Sequence, residues 1–546
     1  ASDVYKRQLY NGQKSAIFQP AKDYSSASAI YMQTRKPLFK GEKKNNLNIG
    51  VKGGSFSTIN PSLLWEHRFN ERISSSISTE YMYTSGRYKF TYAKKDGYDT
   101  TAVRQNGDVR MLRLENAFFG KVPKGEWKAK AYLYNSERGY PGAAVREEPG
   151  KFRHQDRQWD TNLFVQGSFQ NYFKPWYSLL ANGKYAYDYL HYLSDPRLDV
   201  TTMYVDNHYR QQEIYASAAH LFTIYPWWSM SLSNDFQWNT LRADLIDFVY
   251  PTRNTILTSA ATSFDFNHLM LQASLLYTHV DDNTRTKGAN AGTKNKYTPS
   301  VIATWQPLTK FPLNVRAFYK KVFRMPTLND LYYTFIGNKD LKPEYTTQYD
   351  VGITFSHTWN NHWLKSLDLQ IDGYYNEVDD KIIAMPTSNQ FRWTMINLGH
   401  VEIRGLDAAI RGEWGFGKVE LSTLFNYTYQ KAQDFTDPTS EWYGGQIPYI
   451  PWHGGSIILN GSYQTWSCNY SFIYTGERYE AVANIPENYA QPWYTHDFSL
   501  SKTFQWGKTG IRVTAEINNI FNQQYEVVQC YPMPGTSFKI KLNVML

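Results

Sequence analysis

Long apolar runs are missing from this chain. Nowhere in its 546 residues is there an uninterrupted apolar stretch of about 18, which excludes membrane-spanning helices. Cysteine is almost absent: Cys468 and Cys530 are the only two, without metal-type spacing. A secreted disulfide scaffold or a zinc module is thereby excluded. No GxSxG elbow, Walker loop or HExxH helix occurs, so neither an enzyme nor a resident cofactor or metal centre is expected. The net charge of +9 is spread along the chain without a basic block. That implies modest attraction to anionic lipid or ligands and no nucleic-acid partner. The twelve histidines are scattered and read as structural or solvent-facing. A secretory signal is also missing, since Ala1–Tyr10 carries Asp3, Lys6 and Arg7 and no apolar core. The natural N-terminus is expected to lie further upstream.

Aromatics and alternation are what the chain has. Aromatic residues make up 17%, with 44 Tyr, against a polar mean hydropathy of −0.56. The last nine residues are the clearest segment: Phe538, Ile540, Leu542, Val544 and Leu546 alternate with Lys539, Lys541 and Asn543. A side-chain period of two puts all five apolar residues on one face of a strand. Lipid can cover such a face, and a closed sheet satisfies its own backbone within a bilayer. Similar alternation runs through Val351, Ile353 and Phe355, through Leu367, Leu369 and Ile371, and through Val419, Leu421, Phe425, Tyr427 and Tyr429. Leu313, Val315, Ala317 and Tyr319 alternate with Asn314, Arg316, Phe318 and Lys320. Charges opposite the apolar face suit a wet lumen and not a packed soluble core.

Short polar or Pro/Gly breaks centre near Asn70, Pro123, Pro175, Pro226, Asn267, Lys310, Asn361, Trp414, Gln464 and Gly507, at a mean spacing of about 49 residues. Each interval accommodates two strands of about 10–12 residues, one long loop and one short turn. The loops fall at Thr84–Asp108, Asn135–Asp160, Asp195–Arg210, Asp281–Lys294, Arg324–Glu344, Asp379–Arg392, Asp434–Gln446 and Gly476–Pro492. Ten turns separate eleven hairpins. The expectation is an all-β protein: a transmembrane antiparallel β-barrel of about 22 strands in the outer membrane, both termini on the periplasmic side. Its lumen would be wide enough to need a plug. The hairpins share no repeated wording, which argues against a soluble β-propeller.

Three stretches resemble TonB-dependent outer-membrane receptors. Phe323-Arg324-Met325-Pro326-Thr327-Leu328-Asn329-Asp330-Leu331-Tyr332, followed by Gly337-Asn338-Lys339-Asp340-Leu341-Lys342-Pro343-Glu344, is similar to that family's long-loop signature. Asn397-Leu398-Gly399 with Gly405-Leu406-Asp407 resembles its Asn-x-Gly strand entry. Ile517–Tyr525, containing Asn519 and Phe521, then Tyr531-Pro532-Met533-Pro534-Gly535, resembles the final loop and strand. Ala29–Pro37 looks like the end of the family's plug domain. The resemblance implies a plug remnant and linker at residues 9–40 and a barrel at 41–546, with residues 1–8 unassigned as a possible truncation junction. Two departures stand out: most of the plug and its TonB-pairing peptide are absent, and the chain ends in Leu546 where the family usually has an aromatic. A receptor so reduced would bind weakly and transport nothing.

The resemblance implies active import of a small metal chelate, with outer-membrane lipid, the TonB complex through the missing N-terminal segment, and possibly a surface lipoprotein as partners. A passive channel or surface-binding barrel is the alternative. A corrinoid is preferred over a ferric siderophore because of the Tyr525–Gly535 stretch. Haem comes third, because Asn338-Lys339-Asp340-Leu341 fails the haem branch's second motif. Candidate ligand-binding residues are Arg324 and the loop aromatics Tyr88, Tyr140, Tyr332, Tyr333, Trp393, Trp442, Tyr443 and Tyr479, since rigid aromatic surfaces bind flat chelates at low entropy cost. Signature residues are Arg324, Pro326, Asn338, Pro343, Glu344, Gly399, Gly405, Asn519, Phe521, Pro532 and Gly535, and their ordinary role is to shape loops. Asp281-Asp282 and Asp379-Asp380 could hold calcium, although solvated charge pairs are the simpler reading. Arg316, Lys320 and Arg324 keep parity and are expected to line the lumen. Cys468 and Cys530, at opposite ends of the barrel, are expected to stay unpaired.

Overall fold

The computed structural model describes residues 4–12, 14–93, 99–144, 156–194, 204–286, 292–309, 311–333, 336–360, 362–386 and 393–546. Twenty-two strands close into one antiparallel barrel. Ser537–Met545, the last strand, pairs with Thr509–Asn518 on one side and with the first barrel strand, Asn45–Gly54, on the other. Phe538, Ile540 and Leu542 are exposed on its outer face, while Lys539 and Lys541 are half-buried on the inner one. Closure at this seam removes the open edges that hydrocarbon would not tolerate.

The outer wall carries an apolar band that includes Leu163, Val165, Ile214, Phe236, Val301, Val351, Ile353 and Leu500, all exposed. Aromatics ring its short-turn end. Tyr225, Trp227, Trp228, Phe264 and Phe266 form a stacked ladder across neighbouring strands, and Trp363 stacks on Trp414 and Phe416. Such belts sit at membrane–water interfaces. The short-turn end is the periplasmic one, and both Asn45 and Leu546 lie there, with the Leu47 amide donating to the Leu546 carbonyl at 3.1 Å. Among the described residues no helix is long and apolar enough to cross a membrane.

The turns fall close to the expected positions with one correction. Trp414 lies inside the strand Trp393–Phe416, and the chain reverses at Gly417 (φ +63°) and Lys418. Lys310 and Asn361, two further turn centres, lie outside the described residues. Strand length is the larger difference. Gly125–Tyr140 and Asp156–Lys174 pair through both ends of the segment read as the loop Asn135–Asp160, at Asn135–Tyr140 and Asp156–Asp160, and Leu364–Pro386 runs into Asp379–Arg392. Above the bilayer neither face has to be apolar, so the alternation that marks a strand fades while its ladder continues. The connection after Ala243, spanning Asp244 to Pro251, also escaped the sequence reading.

Cys468 is exposed near the periplasmic turn and Cys530 is buried in the final external loop, and no disulfide joins them.

Candidate functional site

The N-terminal segment sits inside the barrel. Val4–Asn11 pairs with Ser28–Thr34, so the paired hairpin begins before Leu9. Between these strands a short turn, Ala21–Tyr24, is pressed against the wall. Ile17, Ala21 and Tyr24 pack on the lumenal side chains Leu257, Ala261 and Leu276. The Asp235 carboxylate accepts the Ala21 amide (3.0 Å), the Lys22 amide (2.8 Å) and the Tyr215 hydroxyl (2.7 Å). The Ser233 hydroxyl donates to the Gln19 carbonyl at 2.8 Å. Lys320, 1% exposed, donates through Nζ to the carbonyls of Ser26 (2.7 Å) and Gly12 (3.3 Å). This is the lumenal plug contact its parity implied. Burial holds the Asp23 carboxyl above its usual range, opposed by the Tyr31 hydroxyl at 2.9 Å.

A second structure roofs the same space. Arg253 and Asp282 face each other on adjacent strands and make a bidentate pair, Nε–Oδ1 and Nη2–Oδ2 both at 2.6 Å. The remaining Arg253 nitrogen donates to the Pro326 carbonyl at 2.6 Å. This fastens the loop after Arg324 over the mouth. Next in the chain is a five-residue helix, Leu328–Tyr332, started by a Thr327–Asp330 capping box. Its Leu328, Leu331 and Tyr332 are buried with Tyr209, Leu241 and Ile382. Arg324 pairs with Glu344 at 3.4 Å, and Glu344 also accepts the Ile382 amide at 3.0 Å.

Between hairpin and roof lies a cavity of about 450 Å³, bounded by Lys22, Ser25 and Ser26 below, Glu213, Gln237 and Asn239 on the wall, and Arg324, Thr327 and Glu344 above. Leu257, Val280, Val322, Phe323, Met325 and Leu328 also line it, so charged, amide and apolar groups share its surface. The volume lies within the range of small-molecule sites.

Of the candidate ligand residues only Arg324 borders this cavity. Tyr332 is 6% exposed in the roof cluster, and Tyr333 stacks on Tyr209 at 4.5 Å, its phenol pushed up to about 12 by burial. Tyr88 donates to the Pro532 carbonyl at 2.6 Å, tying two external loops together. Tyr140 donates to Gln158 at 2.9 Å. Trp393 lies 6.1 Å from Tyr449, Tyr443 meets Phe435 edge-on at 5.1 Å, and Tyr479 meets Tyr489 at 6.1 Å. Trp442 contributes its carbonyl to a turn closed by the Gly445 amide at 2.8 Å. These aromatics are spread around the rim and not gathered at one point. Sequence reasoning passed over Arg253, Glu213 and Lys22; a lumenal charge announces itself only by parity, which many harmless polar residues share.

The signature residues hold backbone. Asn519 (φ +48°) bridges its loop through the Gln523 amide (2.9 Å) and the Gln523 carbonyl (2.9 Å). Asn338 donates to the Met395 carbonyl at 3.0 Å, and Pro326 is buried. Pro343 is half-buried beside Glu344, and Phe521 is exposed, its ring edge-on to His496. A Cβ on Gly399 would meet Thr436 at 2.7 Å, and one on Gly535 would meet Asn522 at 2.1 Å. On Gly405 it would lie 2.3 Å from the Tyr374 ring and 2.6 Å from the Tyr429 carbonyl. The second contact is rigid, so Gly405→Ala is expected to destabilise the barrel by about 1–3 kcal/mol, read as a lower urea midpoint for unfolding in detergent. An unchanged midpoint would mean the strands can part there without cost.

The adjacent aspartates bond to separate partners. Asp281 and Asp282, successive residues of the strand Leu269–Asn283, point to opposite faces, and Asp380 has φ +52°. Asp282 is taken by Arg253, while Asp281 accepts Thr293 and Asn283. Asp379 contacts His400 at 2.7 Å, and Asp380 is 3.8 Å from Lys342.

A family model described as TonB dependent receptor-like, beta-barrel matches residues 10–520. The vitamin B12 transporter BtuB of Photobacterium profundum is 28% identical over 244 residues, 43% of this chain and 36% of that protein. The same-named transporter of Vibrio vulnificus is 31% identical over 207 residues, 37% of this chain and 29% of that protein. The chain thus spans about a third of the length of the curated relatives it matches. The solved siderophore receptor PiuA of Acinetobacter baumannii superposes with a TM-score of 0.75 at 12% identity, covering 100% of this chain and 86% of that one. At that identity the likeness shows the fold alone.

Proposed function

Because the chain belongs to the family of TonB-dependent receptor β-barrels, an outer-membrane family of receptors and transporters and not of enzymes, we propose that it serves the energised uptake of a scarce metal chelate. The observation that carries this reading is the occupied lumen. A hairpin docked by Asp235, Ser233 and Lys320 is held inside the lumen, where an importer needs a plug element and a passive channel does not. Solute entering from outside would meet the cavity above that hairpin, under the roof loop pinned by Arg253. The TonB complex would supply the work of moving the plug element.

A corrinoid is the preferred substrate, supported by the resemblance of Tyr525–Gly535 and by the similarity to two vitamin B12 transporters. A ferric siderophore is the second reading, favoured by the modest cavity volume. Growth separates them. A receptor-deleted strain carrying the complete gene is expected to be rescued on limiting cobalamin; rescue on limiting iron alone would eliminate the corrinoid. Surface lipoprotein involvement would show as co-purification with the barrel.

A further inference from the structure

The outer wall carries a cluster that the import reading does not use. His191 and His208 stand directly opposite each other on the paired strands Tyr177–Ser194 and Val205–Tyr225. Their rings stack at 4.1 Å with an interplanar angle of 15°, and Trp159 stacks on the far side of His191 at 4.5 Å. Asp206 lies two residues before His208, hence on the same face, with Oδ1 2.7 Å from His191 Nε2. One donor atom from each of His191, Asp206 and His208 lies within 4.8 Å of the others. Asp244, just beyond the next strand, clamps His208. Its Oδ1 accepts the His208 amide at 2.7 Å and its Oδ2 lies 2.5 Å from Nδ1.

We propose that His191, Asp206 and His208 form a divalent transition-metal site, for Zn²⁺ or Cu²⁺, on the external end of the barrel wall. Two imidazoles and one carboxylate match the donor preference of these borderline ions and not that of calcium or magnesium. Three protein donors leave a fourth position for water, the usual arrangement of an open site. Asp244 fits the role of the carboxylate that orients a ligating histidine: it holds Nδ1–H and so turns the Nε2 lone pair of His208 outward. Neighbouring donors in a tetrahedral zinc shell lie about 3.3 Å apart, so binding requires Asp206 and His191, now 2.7 Å apart, to separate and the stacked rings to tilt toward a shared ion.

Position separates this site from the lumen. His208 and Asp206 share parity with Ile214, which is exposed in the apolar band, while Trp159 marks the interface level. An ion there is reached from the medium without passing the roof. It would tie the external ends of neighbouring strands together. Sequence spacing could not show it, because His191 and Asp206 are joined by register across a loop.

The test uses the detergent-purified full chain, stripped with chelator and titrated with Zn²⁺ by calorimetry and with Co²⁺ by visible absorption. One saturable site with cobalt d–d bands is expected. His191→Ala and His208→Ala should each weaken affinity by about tenfold or more, and Asp244→Asn by about 10–100-fold as an orienting partner. His67→Ala, elsewhere on the wall, should leave affinity unchanged. Should a variant fail to fold, Zn²⁺ must still protect His191 and His208 of the native chain from diethyl pyrocarbonate, read by mass spectrometry. Absence of saturable binding, affinity unchanged in the double histidine variant, or unprotected histidines would overturn the site.

Discussion

Asp235→Leu is expected to release the N-terminal hairpin from the barrel wall while leaving the barrel closed. Three donors converge on that carboxylate, the amides of Ala21 and Lys22 and the hydroxyl of Tyr215. Each donor stranded without an acceptor costs about 1–3 kcal/mol. The apolar contact of Ile17, Ala21 and Tyr24 and the Ser233 and Lys320 hydrogen bonds remain, so a loss of that size raises the undocked fraction by about one to several powers of ten. Planar-bilayer conductance measures it: the variant should conduct more than the parent, because the hairpin no longer occupies its place in the lumen. Asp235→Asn keeps one acceptor oxygen and should fall between them. Conductance equal to the parent in the leucine variant would mean that other contacts hold the hairpin.

Asp282→Ala should have the other large effect, at the opposite end of the cavity. It leaves the Arg253 guanidinium, 8% exposed, without its carboxylate. Breaking one side of a buried pair costs about 3–5 kcal/mol. Arg253 also donates to Pro326, so the roof loop loses its anchor along with the pair. Limited proteolysis of intact cells should then cut between Met325 and Pro343, where the parent resists. Replacing Arg253 and Asp282 together with Met and Leu removes the stranded charge and should recover stability without recovering protection of the roof. Protection in the single variant would show that the Leu328–Tyr332 cluster suffices alone.

Much of the architecture was legible because lipid imposes a pattern. The alternation at Phe538–Leu546 fixed the face of the closing strand, and the short turns fixed the strand number. Parity alone was enough to place Lys320 in the lumen. What the sequence hid follows equally from physics. Above the membrane no face must be apolar, so the strands through Asn135–Tyr140 and Asp156–Asp160 looked like loop. Long-range partners such as Arg253 with Pro326, or Asp235 with Ala21, leave no mark in local spacing. Aromatics in loops pack on one another as readily as on a ligand. Tyr88, Tyr332 and Tyr333 take the first role here, and the cavity is bordered by the signature residues Arg324 and Glu344 together with Lys22, Glu213, Gln237 and Asn239, which no motif singled out. His191 and His208 read as scattered histidines until strand register set them side by side.

The central claim is energised import through a barrel whose lumen holds a docked hairpin. Its most direct test is uptake of radiolabelled cobalamin by receptor-deleted cells carrying the complete gene, with and without TonB. The account predicts that surface binding occurs in both and that label accumulates inside only when TonB is present. Accumulation that persists without TonB would contradict it and leave a passive channel.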